Sequence, residues 1–200
     1  MPKLDCYCYT RAMKLLTLVL AVGLLAPSIA MAQDTTTYRV LATNKTSSMQ
    51  KEMQEAAAAG FRYAAVMGGE TSFGGKEVVV LMQKTSAAQP FEYRLLAANR
   101  TSTLQKELQE AADAGFMFVG QTVFESLFGG KEVAAILERN PGAKAGDKWE
   151  YKLVATSRTS TLQKELQELG DQGYEALGMT VGQTAMGGAE LVVITRRRAR

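Results

Sequence analysis

The fold of this chain is decided by the stretch RTSTLQKELQE, residues 100–110. The same stretch returns at residues 158–168 and, in a looser form, at residues 45–55. Each copy lies between an apolar run opened by an aromatic residue and a glycine. Tyr38, Tyr93 and Tyr151 begin the three copies, roughly 55 to 58 residues apart, and internal periods of about this size indicate repeat architectures. The sequence therefore predicts a tandem array of one small unit.

The repeated stretch predicts an amphipathic helix. Leu104, Leu108 and Ala111 recur at i, i+4 and i+7 as one apolar stripe, opposite a solvated face of Gln, Lys and Glu. A serine followed three residues later by a glutamine fits a capping box at the start of each helix. These pairs are Ser47 with Gln50, Ser102 with Gln105, and Ser160 with Gln163. We expect the helices to stop at Gly60, Gly115 and Gly173, because glycine adopts the left-handed conformation without strain.

Three strands are predicted around each helix. An apolar run precedes the helix, as at residues 93–98, and an aromatic residue after the stop glycine opens a second strand. A Gly-Gly pair then leads to a third strand, which indicates a hairpin with a primed turn. The third strand is the most apolar, as at residues 78–81, and such runs belong in a sheet interior. The predicted class is α+β: three tandem β-α-β-β units, each an antiparallel sheet in the order first-third-second strand, covered by one helix.

The units are expected to pack against one another, because a single unit of about 50 residues is marginally stable alone. A pseudo-threefold or continuous-sheet arrangement is the hypothesis for this packing. The predicted divisions follow the copies. They are a signal peptide at 1–32, a polar leader at 33–37, repeat 1 at 38–85, repeat 2 at 86–140, a linker at 141–148, and repeat 3 with a basic tail at 149–200.

The first 32 residues have the pattern of a bacterial secretory signal peptide. Lys3, Arg11 and Lys14 precede an apolar run at residues 15–25, and Ala-Met-Ala at residues 30–32 fits a cleavage site. The run is short for a membrane span, so no transmembrane segment is expected after cleavage. Met13 would serve as a start for the same signal. The sequence thus predicts a periplasmic or secreted protein.

Composition narrows the chemistry that the mature chain can perform. The chain contains no histidine, and both cysteines, Cys6 and Cys8, lie in the signal peptide. This excludes a disulfide scaffold, an imidazole base and the usual zinc sites, and no metal or cofactor is expected. The formal net charge of +3 falls to about +1 without the signal peptide, so no nucleic-acid partner is expected.

The third copy carries a resemblance to a known family. It combines WEYKLV at residues 149–154, a leucine-rich helix ending at residue 170, GYEAL at 173–177 and VVITRR at 192–197. This pattern resembles the small bacterial domain of unknown function 4177, with Tyr174 where that pattern has tryptophan. The first and second copies have Phe61 and Phe116 at this place, so they resemble the family through the third. The resemblance covers residues 38–198 and implies a compact β-α-β-β fold, with no assigned activity or catalytic residue.

The best candidate site is the helix N-terminus, where a cation and a serine lie beside free backbone N–H groups. Such an end attracts anions. The candidate anion-binding residues are Lys45, Ser47, Arg100, Ser102, Arg158 and Ser160. The alternative is that the serines only cap the helices, which satisfies the same donors.

A second candidate is the basic C-terminal tail. Contact with a polyanion or a lipid would involve Arg196, Arg197, Arg198 and Arg200. The simpler interpretation is a solvated end. The helix carboxylates are likewise interpreted as a solvated face, so no catalytic residue is assigned.

The function expected from these patterns is that of an exported non-enzymatic repeat protein, a binding or scaffolding module of unknown ligand. Its partner would be an unknown protein or envelope component, with self-association through exposed sheet edges as a further possibility. One alternative is a hydrolase that uses carboxylate and hydroxyl groups at a site between modules. Another is an envelope-associated structural protein.

Overall fold

The computed structural model describes residues 35–71, 75–84, 91–125, 131–142, 148–183 and 188–199. In these residues the order strand, helix, strand, strand occurs three times. Repeat 1 consists of β1 (Thr37–Thr43), α1 (Thr46–Ala58), β2 (Arg62–Thr71) and β3 (Gly75–Lys84). Repeat 2 consists of β4 (Glu92–Ala98), α2 (Thr101–Asp113), β5 (Met117–Glu125) and β6 (Lys131–Arg139). Repeat 3 consists of β7 (Trp149–Thr156), α3 (Thr159–Asp171), β8 (Glu175–Gln183) and β9 (Ala189–Arg198). The predicted signal peptide and the tips of the three hairpins lie outside the described residues.

Each repeat forms its own three-stranded antiparallel sheet with the most apolar strand in the middle. β3 pairs with β1 on one side and with β2 on the other, and β6 and β9 hold the same position in their sheets. The predicted α+β fold and strand order are confirmed. The continuous-sheet hypothesis is wrong, since no backbone ladder joins strands of different repeats in the described chain.

The helices end as the glycines predict. Gly60, Gly115 and Gly173 have φ angles of 87°, 85° and 83°, a region that side chains with a Cβ rarely adopt. In α1 the N–H of Phe61 donates to the carbonyl of Ala56 at 3.0 Å, and the N–H of Gly60 donates to the carbonyl of Ala57 at 2.9 Å. This is a Schellman motif, and the same pair of bonds ends α2 and α3.

A cation from the last strand of each repeat reinforces this helix end. Lys84 Nζ donates to the carbonyl oxygen of Ala59 at 2.8 Å, and Arg139 Nη1 donates to that of Ala114 at 2.8 Å. In repeat 3 Arg197 Nη1 reaches the carbonyl of Gln172 at 3.2 Å. Positive charge at a helix C-terminus offsets the partial negative charge of the last carbonyls. The basic end of the third strand therefore has a structural role in every repeat.

Neighbouring repeats stack so that α1 and α2 are each covered by their own sheet and by the sheet of the next repeat. In the central strand β6, Val133 and Leu137 face α2 of their own repeat, whereas Ala134 and Ile136 lie in the core around α1. Both faces of this strand are thus buried, as its continuous apolar sequence predicts. In the described chain the main contacts between repeats join only neighbours. The arrangement is a linear stack, and the pseudo-threefold hypothesis is wrong.

On the side away from the helices, strands of adjacent repeats meet backbone to backbone. A Cβ added to Gly68 on β2 would lie 2.0 Å from the carbonyl oxygen of Val123 on β5. A Cβ added to Gly120 would lie 1.9 Å from the hydroxyl oxygen of Tyr63. These glycines permit the close approach, because a real Cβ would overlap the neighbouring repeat. The sheets of repeats 1 and 2 therefore converge at β2 and β5 and are held apart by α1 at the other side, and β5 and β8 form the corresponding contact between repeats 2 and 3.

Candidate functional site: the junctions between repeats and the two ends of the stack

The predicted anion sites lie at three separate helix starts. Lys45, Arg100 and Arg158 are the N-cap residues, with extended backbone and no side-chain capping bond. The serines are therefore the second residues of their helices, and the capping-box interpretation is wrong. All three cations and all three serines are exposed. Each cation lies next to uncapped helical N–H groups, and anion binding at these positions stays a prediction.

The arginines of the tail are partly engaged in the fold. Arg196 Nε donates to Glu175 Oε1 at 2.7 Å, and Arg197 Nε donates to Glu150 Oε2 at 2.7 Å. The hydrogen bond from Arg197 holds the pKa of the Glu150 carboxyl below its usual value. Arg198 lies with its guanidinium 5.9 Å from the centre of the Trp149 ring, and Arg200 is outside the described residues. A polyanion would have to share the first two arginines with these carboxylates, and the polyanion site stays a prediction.

Glutamines of each helix hydrogen-bond to the edge strand of the next repeat. Gln105 Oε1 accepts from the N–H of Leu153 at 2.7 Å, and its Nε2 donates to the carbonyl of Tyr151 at 2.7 Å. Gln109 repeats this pattern one turn later, with Tyr151 N–H at 3.0 Å and the Trp149 carbonyl at 3.1 Å. The two side chains satisfy the free edge of β7 as a neighbouring strand would.

The junction between repeats 1 and 2 uses the same device. Gln54 Oε1 accepts from the N–H of Tyr93 at 3.1 Å, and Gln50 Oε1 accepts from that of Leu95 at 2.9 Å. These glutamines occupy the helix positions that Gln109 and Gln105 occupy in repeat 2. Both junctions share the two bonds from edge-strand N–H groups to glutamine Oε1 atoms, so this binding geometry is repeated along the stack.

A tyrosine of each later repeat also inserts its hydroxyl into the repeat before it. Tyr93 accepts a hydrogen bond from the backbone N–H of Tyr63 at 2.8 Å, and Tyr151 accepts one from that of Phe118 at 3.0 Å. Both donors lie at the β-bulge of the second strand. The bulge leaves a residue out of the ladder, and the tyrosine takes its place as acceptor.

Glu138 is the most deeply buried carboxylate of the first junction, with 3% of its surface exposed. Arg62 Nη2 donates to its Oε1 at 2.5 Å, and Tyr93 donates to its Oε2 at 3.3 Å. The hydrogen bond to Glu138 raises the pKa of Arg62, and burial raises the pKa of Tyr93. Burial also raises the pKa of Tyr63 to about 12. Every charge in this cluster has a partner, so its role is to lock two repeats together.

A small cleft with about 10 Å³ of enclosed space lies between repeats 2 and 3. It is lined by residues of the α2 N-terminus and of the sheets of repeats 2 and 3. Lys131 and Glu190 are the ionisable side chains in its lining, and Thr101 is its only residue from α2 besides Leu104. The cleft is small for a substrate pocket, since such pockets usually reach several hundred Å³.

The first and last repeats leave exposed the surfaces that the middle repeat buries. On repeat 1 we define a front face by Tyr38, Val40 and Met67, of which 61%, 64% and 60% are exposed. On repeat 3 we define a back face by Met179 and Val181, of which 64% and 54% are exposed, together with the adjacent face of α3. The α3 residues of the back face are Gln163, Leu166 and Gln167. Tyr93 and Tyr151, the counterparts of Tyr38, are buried at 4% and 2%.

Sequence reasoning missed the glutamines and the two end faces. The prediction placed Gln105 and Gln109 on a solvated face, whereas both contact β7. The one available signal was the recurrence of glutamine at both positions in all three copies, where lysine or glutamate would solvate a helix equally well. Several positions that are exposed at the ends carry an apolar or aromatic residue in every copy, which indicates that the unit has a face meant to be buried.

Comparisons with protein-family models, with curated proteins and with solved structures found no match for this chain. The resemblance of the third copy to the domain of unknown function 4177 therefore stays a prediction. The described residues contain no cluster of acidic side chains that could hold a metal ion. In the same residues, no helix has the length and apolar character needed to cross a membrane.

Proposed function

We propose that this chain is an exported, non-enzymatic binding or scaffolding protein that binds protein through the two ends of its stack. The observation that supports the proposal is the contrast between the ends and the junctions. Tyr38 and Val40 are largely exposed, whereas Tyr93 and Leu95 occupy the same strand positions in repeat 2 and are buried. The front face is thus built like an interface and left open.

Clustering distinguishes this surface from ordinary exposed apolar residues. Isolated apolar side chains on a surface are normal, but contiguous patches mark interaction sites. On the front face Tyr38 and Val40 lie on β1 and Met67 lies on β2, and the half-buried Leu81 of β3 pairs with Val40 between these two edge strands. On the back face Met179 and Val181 are alternate residues of β8 beside α3. Both clusters lie on rigid elements, which favours specific binding over random association.

The hydrolase alternative would place its site in the cleft between repeats 2 and 3. Glu190 and Lys131 are the groups that line it and could act as acid or base. A Glu190→Gln variant separates the alternatives. An enzyme at this cleft would lose hydrolytic activity on ester or glycoside substrates, whereas a binding module would keep its partner.

The alternative of an envelope-associated structural protein depends on the tail. Arg196 and Arg197 are engaged in ion pairs, so their deletion would disturb the fold together with any membrane contact. The informative variant is Arg198→Glu combined with Arg200→Glu. Loss of sedimentation with anionic vesicles by this variant alone would favour the envelope alternative.

The proposed function is tested by capture of partners from the envelope fraction of the native cells. The bait is the purified protein, with Val40→Lys and Val181→Lys as variants of the two ends. Met117→Lys is the matched control, since Met117 is 40% exposed in the middle repeat and its counterparts are Arg62 and Glu175. We expect a partner that the unchanged and control baits retain and that one end variant loses. Equal recovery by all four baits, or no partner at all including a second copy, would overturn the proposal.

A further inference from the structure

We propose that the partner of each end is a second copy of this chain, with the front face of one molecule docked on the back face of the next. This inference rests on the proposed function, whose binding surfaces it uses, and it names their occupant. It predicts head-to-tail assembly in which every contact between molecules repeats a junction that exists twice within the chain.

The internal junctions supply the template. At each of them a helix places two glutamines against the edge strand of the next repeat, and a tyrosine of that strand reaches back to a bulge N–H. The apolar face of the next sheet then closes over the helix, as Tyr93 and Ile136 do over α1. A third junction of this kind needs one free helix face and one free edge strand with its sheet face.

The back face supplies the helix half. Gln163 and Gln167 stand at the positions of Gln105 and Gln109 and are exposed. Gln167 is already oriented as its counterpart is, because its Nε2 donates to Asp171 at 3.1 Å just as Gln109 Nε2 donates to Asp113 at 3.0 Å. Leu166 is half-buried, whereas Leu108 at the same position is fully buried.

The front face supplies the strand half. β1 is an edge strand that pairs only with β3 among the described strands, and Tyr38 and Val40 align with Tyr93 and Leu95. In the docked pair the N–H groups of these two residues would donate to Gln167 and Gln163 of the other molecule. The Tyr38 hydroxyl would then meet the backbone of Ala176, which holds the bulge position of Tyr63 and Phe118.

Side-chain sizes at the two ends match each other as well. At the internal junctions an aromatic ring faces a glycine: the Tyr63 hydroxyl lies against Gly120, and the Phe118 ring lies against Gly178. At the corresponding positions of the ends, the back face carries Ala176 and the front face carries Ala65. The front face has the methyl group of Ala65 where the internal repeats have glycine. The back face has Ala176 in place of the aromatic ring that would collide with this methyl group. The two ends therefore fit each other, although neither would fit an internal repeat as closely.

Head-to-tail contacts of this type are heterologous, since the two surfaces differ. Each docked molecule presents a new back face, so the assembly continues in the direction of the stack. A molecule with one blocked end can still use the other end. This property separates the proposal from a symmetric dimer, in which one surface binds its own copy and blocking it leaves nothing to pair.

The experiment uses protein purified from cells that express the full chain, measured by sedimentation velocity from about 1 μM to 1 mM, the range of affinities expected for a weak to moderate interface. We expect the unchanged protein and Met117→Lys to form species that grow with concentration. Val40→Lys and Val181→Lys should each remain monomeric with unchanged circular dichroism and melting temperature. An equimolar mixture of the two should form a one-to-one dimer and nothing larger, because one intact front face and one intact back face remain.

Three results would overturn the inference. They are a monomeric unchanged protein over the whole range, single variants that associate like the unchanged protein, and a mixture that stays monomeric. Failure here is distinguishable from failure of the proposed function. If the protein is monomeric but its end variants lose a different envelope protein, the proposed binding function holds and only the second copy is ruled out as the partner. If the protein assembles with itself and captures no other protein, both the proposed function and the self-assembly inference hold.

Discussion

The same stretch, RTSTLQKELQE, begins at the N-cap of both α2 and α3, yet the two helices lie in different surroundings. In α2 Leu108 is fully buried, and Gln105 and Gln109 hydrogen-bond to β7. In α3 the counterpart Leu166 is half-buried, and Gln163 is exposed. Identical residues thus form the same helix with the same apolar stripe, and the next repeat decides whether that stripe becomes core. The difference identifies α3 as a junction that lacks its second half within the described chain.

The largest expected difference between the two helices concerns their central leucines. Leu108→Ala should lower the free energy of unfolding by about 2–5 kcal/mol, since it leaves a cavity in a core closed on both sides. Leu166→Ala should cost at most about half as much, because its side chain already contacts solvent. Urea denaturation of both variants at low protein concentration measures the two values. Equal losses would mean that α3 is as well covered as α2.

The backbone contact between repeats 1 and 2 offers a second comparison. Gly68→Ala should destabilise the protein by about 1–3 kcal/mol, because the added methyl group would overlap the Val123 carbonyl. Gly69 is the matched control on the same strand, since a Cβ there meets nothing within 4 Å. Gly69→Ala should change stability by less than about 0.5 kcal/mol. Thermal and urea unfolding measure both variants. If Gly68→Ala leaves the free energy of unfolding unchanged, the close approach of β2 and β5 is contradicted.

The glutamines test the same comparison through hydrogen bonds. Gln105→Ala should cost about 1–3 kcal/mol, because the N–H of Leu153 would lose its acceptor at a partly buried edge. Gln163→Ala should cost less than about 0.5 kcal/mol in the monomer. Hydrogen exchange at Leu153 should also accelerate in the first variant only. Unchanged protection there would show that Gln105 is dispensable at the junction.

A smaller effect, of opposite sign, is expected at Gly170 in α3. The counterparts of Gly170 in α1 and α2 are Ala57 and Ala112, and an added Cβ meets nothing within 4 Å. Gly170→Ala should therefore raise the free energy of unfolding by about 0.5–1 kcal/mol through helix propensity. Urea denaturation provides the measurement. A loss of stability would indicate that α3 needs glycine for a contact that α2 does not make.

The two junctions also differ at Tyr63, whose counterpart is Phe118, and this one difference should matter only in alkaline solution. Tyr63 has a folded-state pKa of about 12, above the ordinary value of 10, so the folded protein favours its neutral form. Its contribution is fully present below pH 10 and is lost as the pH rises from 10 towards 12. Tyr63→Phe, which copies Phe118 of the second junction, should reduce this alkaline loss in stability measured by urea unfolding at successive pH values. An unchanged pH profile would contradict the burial of the hydroxyl.

Much of the unit could be predicted from local sequence. The strand order follows from the apolar run of β3, and the helix stops follow from Gly60, Gly115 and Gly173, because each property depends on neighbouring residues alone. The capping box failed because Arg100 rather than Ser102 takes the N-cap position. Gln105 instead hydrogen-bonds to the backbone of Tyr151 and Leu153, more than 40 residues along the chain. The periodicity of the helix sequence cannot predict a partner so distant.

The candidate surfaces were harder to predict than the fold for the same reason. Tyr38 and Tyr93 occupy the same position in the unit. Tyr93 is buried because repeat 1 packs against it, whereas Tyr38 has no such repeat against it in the described chain and is exposed. The sequence of one repeat therefore encodes an interface but does not encode its occupant. The occupant is determined by which repeat packs against the surface, and this is known only from the arrangement of the whole stack.

The three separate sheets have a consequence for how the chain could change in length. Close packing and hydrogen bonds from side chains join the repeats, and no backbone ladder crosses a junction in the described strands. Recombination that duplicates or deletes one whole unit would therefore leave every strand with its original partners. Array stability would change by one unit and one junction for each step, as in other modular proteins. The number of units can therefore change without breaking any backbone ladder of the described strands.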